Sequence, residues 1–89
     1  RGVAAARAQP ELHLRGLRVE EAEAQLLRYL DEAFLAGLRQ VRIVHGKGSG
    51  VLRRLVRQEL SHHPLVVAVR AAPPHEGGEG VTIAELAAG

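Results

Sequence analysis

The chain has 89 residues, 46% of them hydrophobic, with a net charge of +2 at pH 7 and no cysteine. This length supports one small domain with a single core, and the apolar content excludes wholesale disorder. The lack of cysteine excludes disulfides and thiolate chemistry. No run approaches the roughly 20 apolar residues of a membrane span, and no secretory signal pattern is present, which favours a cytoplasmic location.

The beginning of the chain is typical of a linker. Residues 1–10 lack useful periodicity and end at Pro10, so we expect a linker or a disordered N-terminal segment. Methionine is absent from the whole chain, including position 1. We therefore expect a fragment of a longer protein.

A first strand and a long helix follow. Polar and apolar residues alternate over 11–15, which predicts a half-buried strand that turns Leu12 and Leu14 toward the helices and His13 and Arg15 to the other side. Apolar residues at helical spacing then predict a helix over 18–36, with glutamates in its first turns and Gly37 at its end.

The central stretch combines a strand, a glycine loop and a second helix. β-Branched residues predict a buried strand at 40–45, and the sequence His-Gly-Lys-Gly-Ser-Gly at 45–50 interrupts it. Apolar residues at 52, 55, 56 and 60 then predict a helix over 51–62. Such a turn can hold a phosphate, because loop amides and the helix N-terminus face the ligand.

The rest of the chain completes a small sheet. Pro64 is expected to end the second helix, and residues 65–70 are predicted to form a third strand. The Pro- and Gly-rich residues 71–80 predict a loop, and residues 81–86 predict a fourth strand. The order βαβαββ predicts an α/β sandwich. We expect a four-stranded mixed sheet with both helices on one face and the last hairpin antiparallel.

Charge is unevenly distributed around the glycine loop. Residues 39–58 contain six Lys/Arg and no acid, whereas residues 11–38 contain six acids and three arginines. A polyanion is the expected partner of the basic end. The loop fits neither the Walker pattern nor the dinucleotide pattern. It could be only a tight turn, but its basic neighbours favour anion binding.

Two histidines are candidates for acid–base chemistry. His45 lies where α/β sheets bind ligands and could serve a phosphodiester reaction, or it could hydrogen-bond the loop backbone. His13 and Arg15 could reach His45 if the first two strands are neighbours, or they could form a solvated polar face. The sequence leaves both pairs of alternatives open.

No metal site is predicted, because the remaining histidines lack ligand spacing. His62 and His63 are adjacent near a helix end, and His75 lies in a loop. Tyr29 and Phe34, the two aromatic residues, both lie within the first predicted helix. Contact with a nucleic-acid backbone is therefore favoured over base stacking.

Two segments resemble the signatures of a known family, the Smr (small MutS-related) domain. Residues 12–22 resemble its first signature, and residues 41–53 resemble its second, the His-Gly-x-Gly turn. The resemblance covers residues 11–87. It is closest to the form found at the C-terminus of the second bacterial MutS paralogue.

The resemblance implies a βαβαββ fold and an endonuclease that nicks DNA, and in some members RNA, with little sequence preference. It also implies links to suppression of recombination and, in related proteins, to stalled ribosomes. His45, Gly46, Lys47 and Gly48 match the turn, and Arg15 matches the arginine of the first signature. His13 departs from the family, which commonly has aspartate there.

Our first hypothesis is therefore a nicking phosphodiester hydrolase. His45 would act as general acid or base, assisted by His13, with Arg15 and Lys47 on the phosphate. The cofactor is open, with magnesium or manganese as the candidate, although no ligand set is evident. The residues expected to bind the nucleic-acid backbone are Arg42, Gly46, Lys47, Gly48, Ser49, Gly50, Arg53, Arg54 and Arg57.

The second hypothesis is a non-catalytic module that binds DNA, RNA or the ribosome through the same surface. A third is a domain that only docks on preceding domains of the parent protein. The expected partners are DNA, in branched or supercoiled form, RNA or the ribosome, and the N-terminal domains of the parent. A membrane is not among the expected partners.

Overall fold

The computed structural model describes residues 9–89, so most of the predicted linker lies outside the described residues. The elements follow the order β1-α1-β2-α2-β3-β4. Two single-turn 3-10 helices, at Pro74–Glu76 and Gly78–Gly80, occupy the predicted loop. The strands and helices are β1 (Glu11–His13), α1 (Val19–Leu35), β2 (Gln40–Val44), α2 (Val51–His62), β3 (Val66–Ala71) and β4 (Val81–Leu86).

The sheet is mixed, with strand order β1-β2-β4-β3. β1 pairs with β2 in parallel, and β4 pairs antiparallel with both β2 and β3. The predicted mixed sheet and antiparallel final hairpin are confirmed. Because β4 lies between β2 and β3, the chain segment that follows β3 is brought beside the glycine loop.

The core lies between one face of the sheet and the two helices. α1 contacts α2, and α2 lies against β3 and β4, so both helices cover the same face. Periodicity explains this arrangement, since the apolar residues of each helix recur on one side. The largest fully buried side chains of the core are Leu14, Leu26, Leu30, Val41, Ile43, Val56, Leu60 and Leu86.

The first strand is shorter than predicted. Pairing in β1 ends at His13, although the Leu14 amide still donates to the Val44 carbonyl oxygen at 2.7 Å. Arg15 lies in the following turn, beyond the strand. The prediction that His13 and Arg15 project from one face of a single strand is therefore wrong.

The opposite face of the sheet, here called the open face, carries ion pairs. Glu11 and Arg42 are neighbours in the register of β1 and β2, and the Arg42 Nε group donates to Glu11 Oε2 at 3.2 Å. Arg70 and Glu85 pair across β3 and β4. The open face carries a smaller apolar cluster of Val44, Ala72, Val81 and Ile83. Within residues 9–89 no helix is both long and apolar enough to span a bilayer.

Candidate nucleic-acid interface

A cleft of about 840 Å³ opens at the edge where β1 and β2 end. The N-terminal ends of α1 and α2 both face this cleft, and each contributes a partial positive charge. The segment that precedes β4 closes another side. The cleft is lined by residues 15–19, 44–53, 77 and 80–81.

Two glycines give the loop its shape. Gly46 has a φ of +80° and Gly50 a φ of +87°, both in the left-handed region that side chains rarely adopt. A Cβ atom at Gly46 would lie 2.9 Å from Cγ of Arg15. Glycine at this position therefore lets the arginine from the turn after β1 lie directly against the loop.

The loop presents backbone N–H groups that have no acceptor within the described part of the chain. The first intrahelical hydrogen bond of α2 runs from the Arg54 amide to the Gly50 carbonyl oxygen, at 3.0 Å. The amides of Lys47, Gly48, Ser49 and Gly50 donate to no other residue among 9–89. Unpaired amides beside a helix N-terminus form an anion-binding surface.

Four cationic side chains line the cleft, namely Arg15, Arg18, Lys47 and Arg53. Arg53 donates to Glu79 at 3.0 Å, whereas the other three make no ion pair with any described residue. The lining contains no carboxylate. The cleft therefore combines positive side chains with backbone donors, as a phosphate requires.

Arg18 was missing from the sequence-based predictions. It is the N-cap residue of α1, and its amide donates to Glu21 Oε1 at 3.1 Å. A signal was present in the sequence, because a helix that follows β1 begins at the same edge as the loop that follows β2. Arg54 was predicted and lies exposed in the first turn of α2, beside Gly50, without lining the cleft.

His45 is held inside the protein with 4% of its surface exposed. Its Nδ1 lies 2.9 Å from the Gly46 carbonyl oxygen, which can only accept, so Nδ1 carries the proton and donates. Its Nε2 lies 2.8 Å from the Thr82 hydroxyl oxygen, and in the neutral ring it accepts a hydrogen bond from that hydroxyl. Both ring nitrogens are thus engaged, which agrees with the alternative that His45 hydrogen-bonds the loop backbone.

The environment of His45 favours the neutral ring. Burial lowers the pKa of His45 below its ordinary value of 6.5, and the nearby Arg57 and Arg53 lower the pKa further. The hydrogen bond to Gly46 and the charge of Glu79 act in the opposite direction. In the neutral ring with the proton on Nδ1, Nε2 has a free lone pair that can accept from the Thr82 hydroxyl.

Besides Arg54, three more of the predicted site residues do not line the cleft. His13 is on the open face, with 64% of its side chain exposed and Nε2 at 3.0 Å from Glu11. Arg42 is on the same face and pairs with Glu11 and Glu76. Arg57 lies behind the loop, where its Nε donates to Thr82 Oγ1 at 3.3 Å. Their roles at the site stay predictions.

Within the described part of the chain, histidine and carboxylate side chains do not gather into a set that fits a divalent cation. Residues 9–89 contain no group of three or more histidine, aspartate or glutamate side chains that could hold a metal ion. Glu79, the acidic residue beside the cleft, already faces Arg53 and Arg57.

Comparison with known proteins identifies the class of domain. The sequence model of the Smr domain matches residues 12–87. The chain belongs to this family. Its βαβαββ sheet and the glycine loop at the cleft are the features that the family resemblance predicted.

The particular relatives are MutS2 proteins. Over 80 residues the chain is 58% identical to the endonuclease MutS2 of Thermomicrobium roseum, covering 90% of this chain and 10% of that protein. It is also 49% identical to the endonuclease MutS2 of Symbiobacterium thermophilum, over 97% of this chain and 11% of that protein. The chain thus spans about a tenth of the length of these relatives.

Solved structures share the fold. The Smr domain of Thermus thermophilus MutS2 superposes with a TM-score of 0.85 at 44% identity, covering 86% of this chain and 96% of that one. YdaL, a stand-alone small MutS-related protein from Escherichia coli, gives a TM-score of 0.82 at 32% identity, with 86% and 63% covered.

Proposed function

We propose that this domain binds the phosphodiester backbone of DNA in the cleft and nicks it, as the endonuclease domain of a MutS2-type protein. The observation that carries the proposal is the meeting of three cations (Arg15, Arg18 and Lys47) with the amides of the glycine loop, none of which pairs with any of residues 9–89. The names of the relatives, endonuclease MutS2, support the chemical class.

The proposed reaction is hydrolysis of one phosphodiester bond. Water attacks phosphorus, one P–O ester bond breaks, and the products are a phosphate monoester end and a hydroxyl end. Negative charge on the phosphoryl oxygens is stabilised in the transition state by Arg15, Lys47 and the loop amides. His45 holds the loop in place from behind.

The proposed interface reads the backbone and not the bases. Amides and flexible cations recognise phosphate oxygens, which are the same in every sequence. We therefore propose that cleavage has little sequence preference. From the family resemblance we also propose that the substrate is DNA in the cytoplasm and that the parent protein suppresses recombination. Branched or supercoiled forms present closely spaced phosphates. The N-terminal domains of the parent would bring such DNA to the cleft.

A second candidate is a module that binds DNA, RNA or the ribosome without cleaving it. One observation favours this alternative specifically. Both nitrogens of His45 are occupied and the ring is buried, so it cannot exchange a proton with a substrate in this arrangement. The two candidates share the cleft and differ in whether a bond breaks.

The test is nicking of supercoiled plasmid, together with binding to a labelled duplex, for the wild type, Arg15→Ala and Lys47→Ala. Removing one group that stabilises a transition-state oxyanion typically costs about 10²- to 10³-fold in rate. We expect losses of this order in both variants. Arg70→Ala is the matched control, since Arg70 is a cation on the open face that pairs with Glu85. It should nick like the wild type.

Further arms separate the alternatives. Nicking that stops with EDTA and returns with magnesium or manganese would show that a metal ion enters with the substrate. His45→Gln cannot carry a proton, so retained nicking in this variant would exclude proton transfer by His45. Binding without nicking by the wild type would support the binding module, and loss of both in Arg70→Ala would overturn the proposed site.

A further inference from the structure

A series of three hydrogen bonds, of which the central one is buried and the outer two are partly buried, lies behind the glycine loop. Thr82 is on β4 opposite Ile43, on the helix face of the sheet, and is fully buried. Its Oγ1 lies 2.8 Å from Nε2 of His45 and 3.3 Å from Nε of Arg57. One hydroxyl thus connects a residue of α2 to the histidine that begins the loop.

When the His45 ring is neutral, the direction of each of these hydrogen bonds follows from its partners. The Arg57 guanidinium can only donate, so Thr82 Oγ1 accepts from it. The Gly46 carbonyl can only accept, so His45 Nδ1 donates and Nε2 is left with a lone pair. The Thr82 hydroxyl proton therefore points at Nε2. Arg57 thus donates to Thr82, Thr82 donates to His45, and His45 donates to the Gly46 carbonyl oxygen.

The hydrogen bond from His45 Nδ1 to the Gly46 carbonyl oxygen determines where the next loop amide points. In a trans peptide the C=O and the next N–H project in opposite directions. Because the Gly46 carbonyl points inward to the buried imidazole, the Lys47 N–H points outward. It is one of the amides for which the described chain offers no acceptor.

We propose that Thr82 and Arg57 are positioning residues, which fix the Nδ1–H tautomer of His45 and thereby aim the loop amides at a bound phosphate. This inference rests on the proposed function only for its effect on phosphate binding. The hydrogen-bond chain itself can be examined in the free protein.

The first measurement is the nitrogen NMR spectrum of the His45 ring at neutral pH. The expected result is a protonated Nδ1 and an unprotonated Nε2. A ring protonated at Nε2 would overturn the proposal, because the Thr82 hydroxyl would then not be the donor. This readout does not depend on whether the domain binds or cleaves nucleic acid.

The second measurement compares Thr82→Val, which keeps the shape and removes the hydroxyl, with Thr82→Ser, which keeps the hydroxyl. We expect Thr82→Val to move the amide resonance of Lys47 and to weaken binding of a labelled DNA duplex about tenfold. Thr82→Ser should restore both to within about twofold of the wild type.

A matched control separates positioning from stability. Leu86 is also fully buried on β4 but belongs to the main core, away from the cleft lining. Leu86→Val should lower the melting temperature and leave DNA affinity and the Lys47 resonance unchanged. Equal effects of Leu86→Val and Thr82→Val would overturn the proposal. A wild type that binds no DNA would reject the proposed function, and the ring and amide measurements would still decide the inference.

Discussion

At the scale of single residues, the surroundings of His45 determine the protonation state of its imidazole ring. The sequence was compatible with two roles for His45, as an acid–base catalyst or as a residue that hydrogen-bonds the loop backbone. Its burial, its two hydrogen bonds and its lowered pKa all favour a neutral ring that supports the loop. The charged groups that influence it are Arg57, Arg53 and Glu79.

The lowered pKa of His45 predicts how stability depends on pH. In the unfolded chain the ring takes up a proton near its ordinary pKa of 6.5, whereas the folded ring resists protonation to lower pH. The stabilisation is therefore complete above about pH 6.5 and is lost as the pH falls toward the folded-state pKa.

We expect the melting temperature of the wild type to fall more between pH 7.5 and pH 5.5 than that of His45→Gln, whose side chain does not titrate. The measurement is thermal unfolding of both proteins across this range. Because Glu11 and the other titrating groups are common to both, the difference reports His45. Parallel curves would contradict the prediction.

Among the elements, the segment that precedes β4, residues 74–80, contributes more contacts to the site than its sequence suggested. It was predicted as a loop, and it forms two 3-10 turns whose Gly80 carbonyl oxygen accepts from the amides of both His45 and Gly46, each at 3.0 Å. It also places Glu79 within 3.0 Å of Arg53 and 3.8 Å of Arg57. This segment thus fixes the start of the loop and partly neutralises its cations.

Glu79 should compete with a phosphate for Arg53. We expect Glu79→Gln to tighten binding of a DNA duplex by about two- to fivefold, since exposed ion pairs contribute up to about 1 kcal/mol. Glu76→Gln is the control, because Glu76 lies in the same segment but pairs with Arg42 on the other side. Binding is measured by fluorescence anisotropy at low salt. Equal gains in both variants would show only a general charge effect.

At the scale of the whole molecule, the fold determines where the unneutralised positive charge lies, and the position of a residue in the sequence does not. Residues 39–58 contain no acid, yet Arg42 meets Glu11 and Glu76, and Arg53 meets Glu79. Conversely, Arg15 and Arg18 come from the acidic first part of the chain and line the cleft. The effective basic surface is therefore the cleft edge of the molecule.

This arrangement predicts the salt dependence of DNA binding. Each phosphate contact contributes a slope of roughly −0.9 to the logarithm of affinity against the logarithm of salt concentration. If Arg15, Arg18 and Lys47 each contact a phosphate, the slope is about −3. Lys47→Ala should make the slope shallower by about 1, and Arg70→Ala should leave it unchanged. A slope near zero in the wild type would exclude backbone binding by the cleft.

The sequence by itself determined the elements and the position of the loop. Periods of two and of 3.6 residues are local properties, so the helices, the later strands and the glycine turn were confirmed nearly to the residue. The family signatures lie within two such segments, and Arg15, Lys47 and the glycines of the second signature do meet at one cleft.

Only the tertiary structure decided which distant residues join the loop. The insertion of β4 between β2 and β3 brings Thr82 and Glu79 to a site more than 25 residues earlier in the chain. By contrast, alternation along β1 and β2 is a local property, and it turns His13 and Arg42 to the open face, away from the cleft. Strand order depends on pairing between distant segments and on the packing of both helices against one face of the sheet. The hydrophobic period of a single segment determines neither.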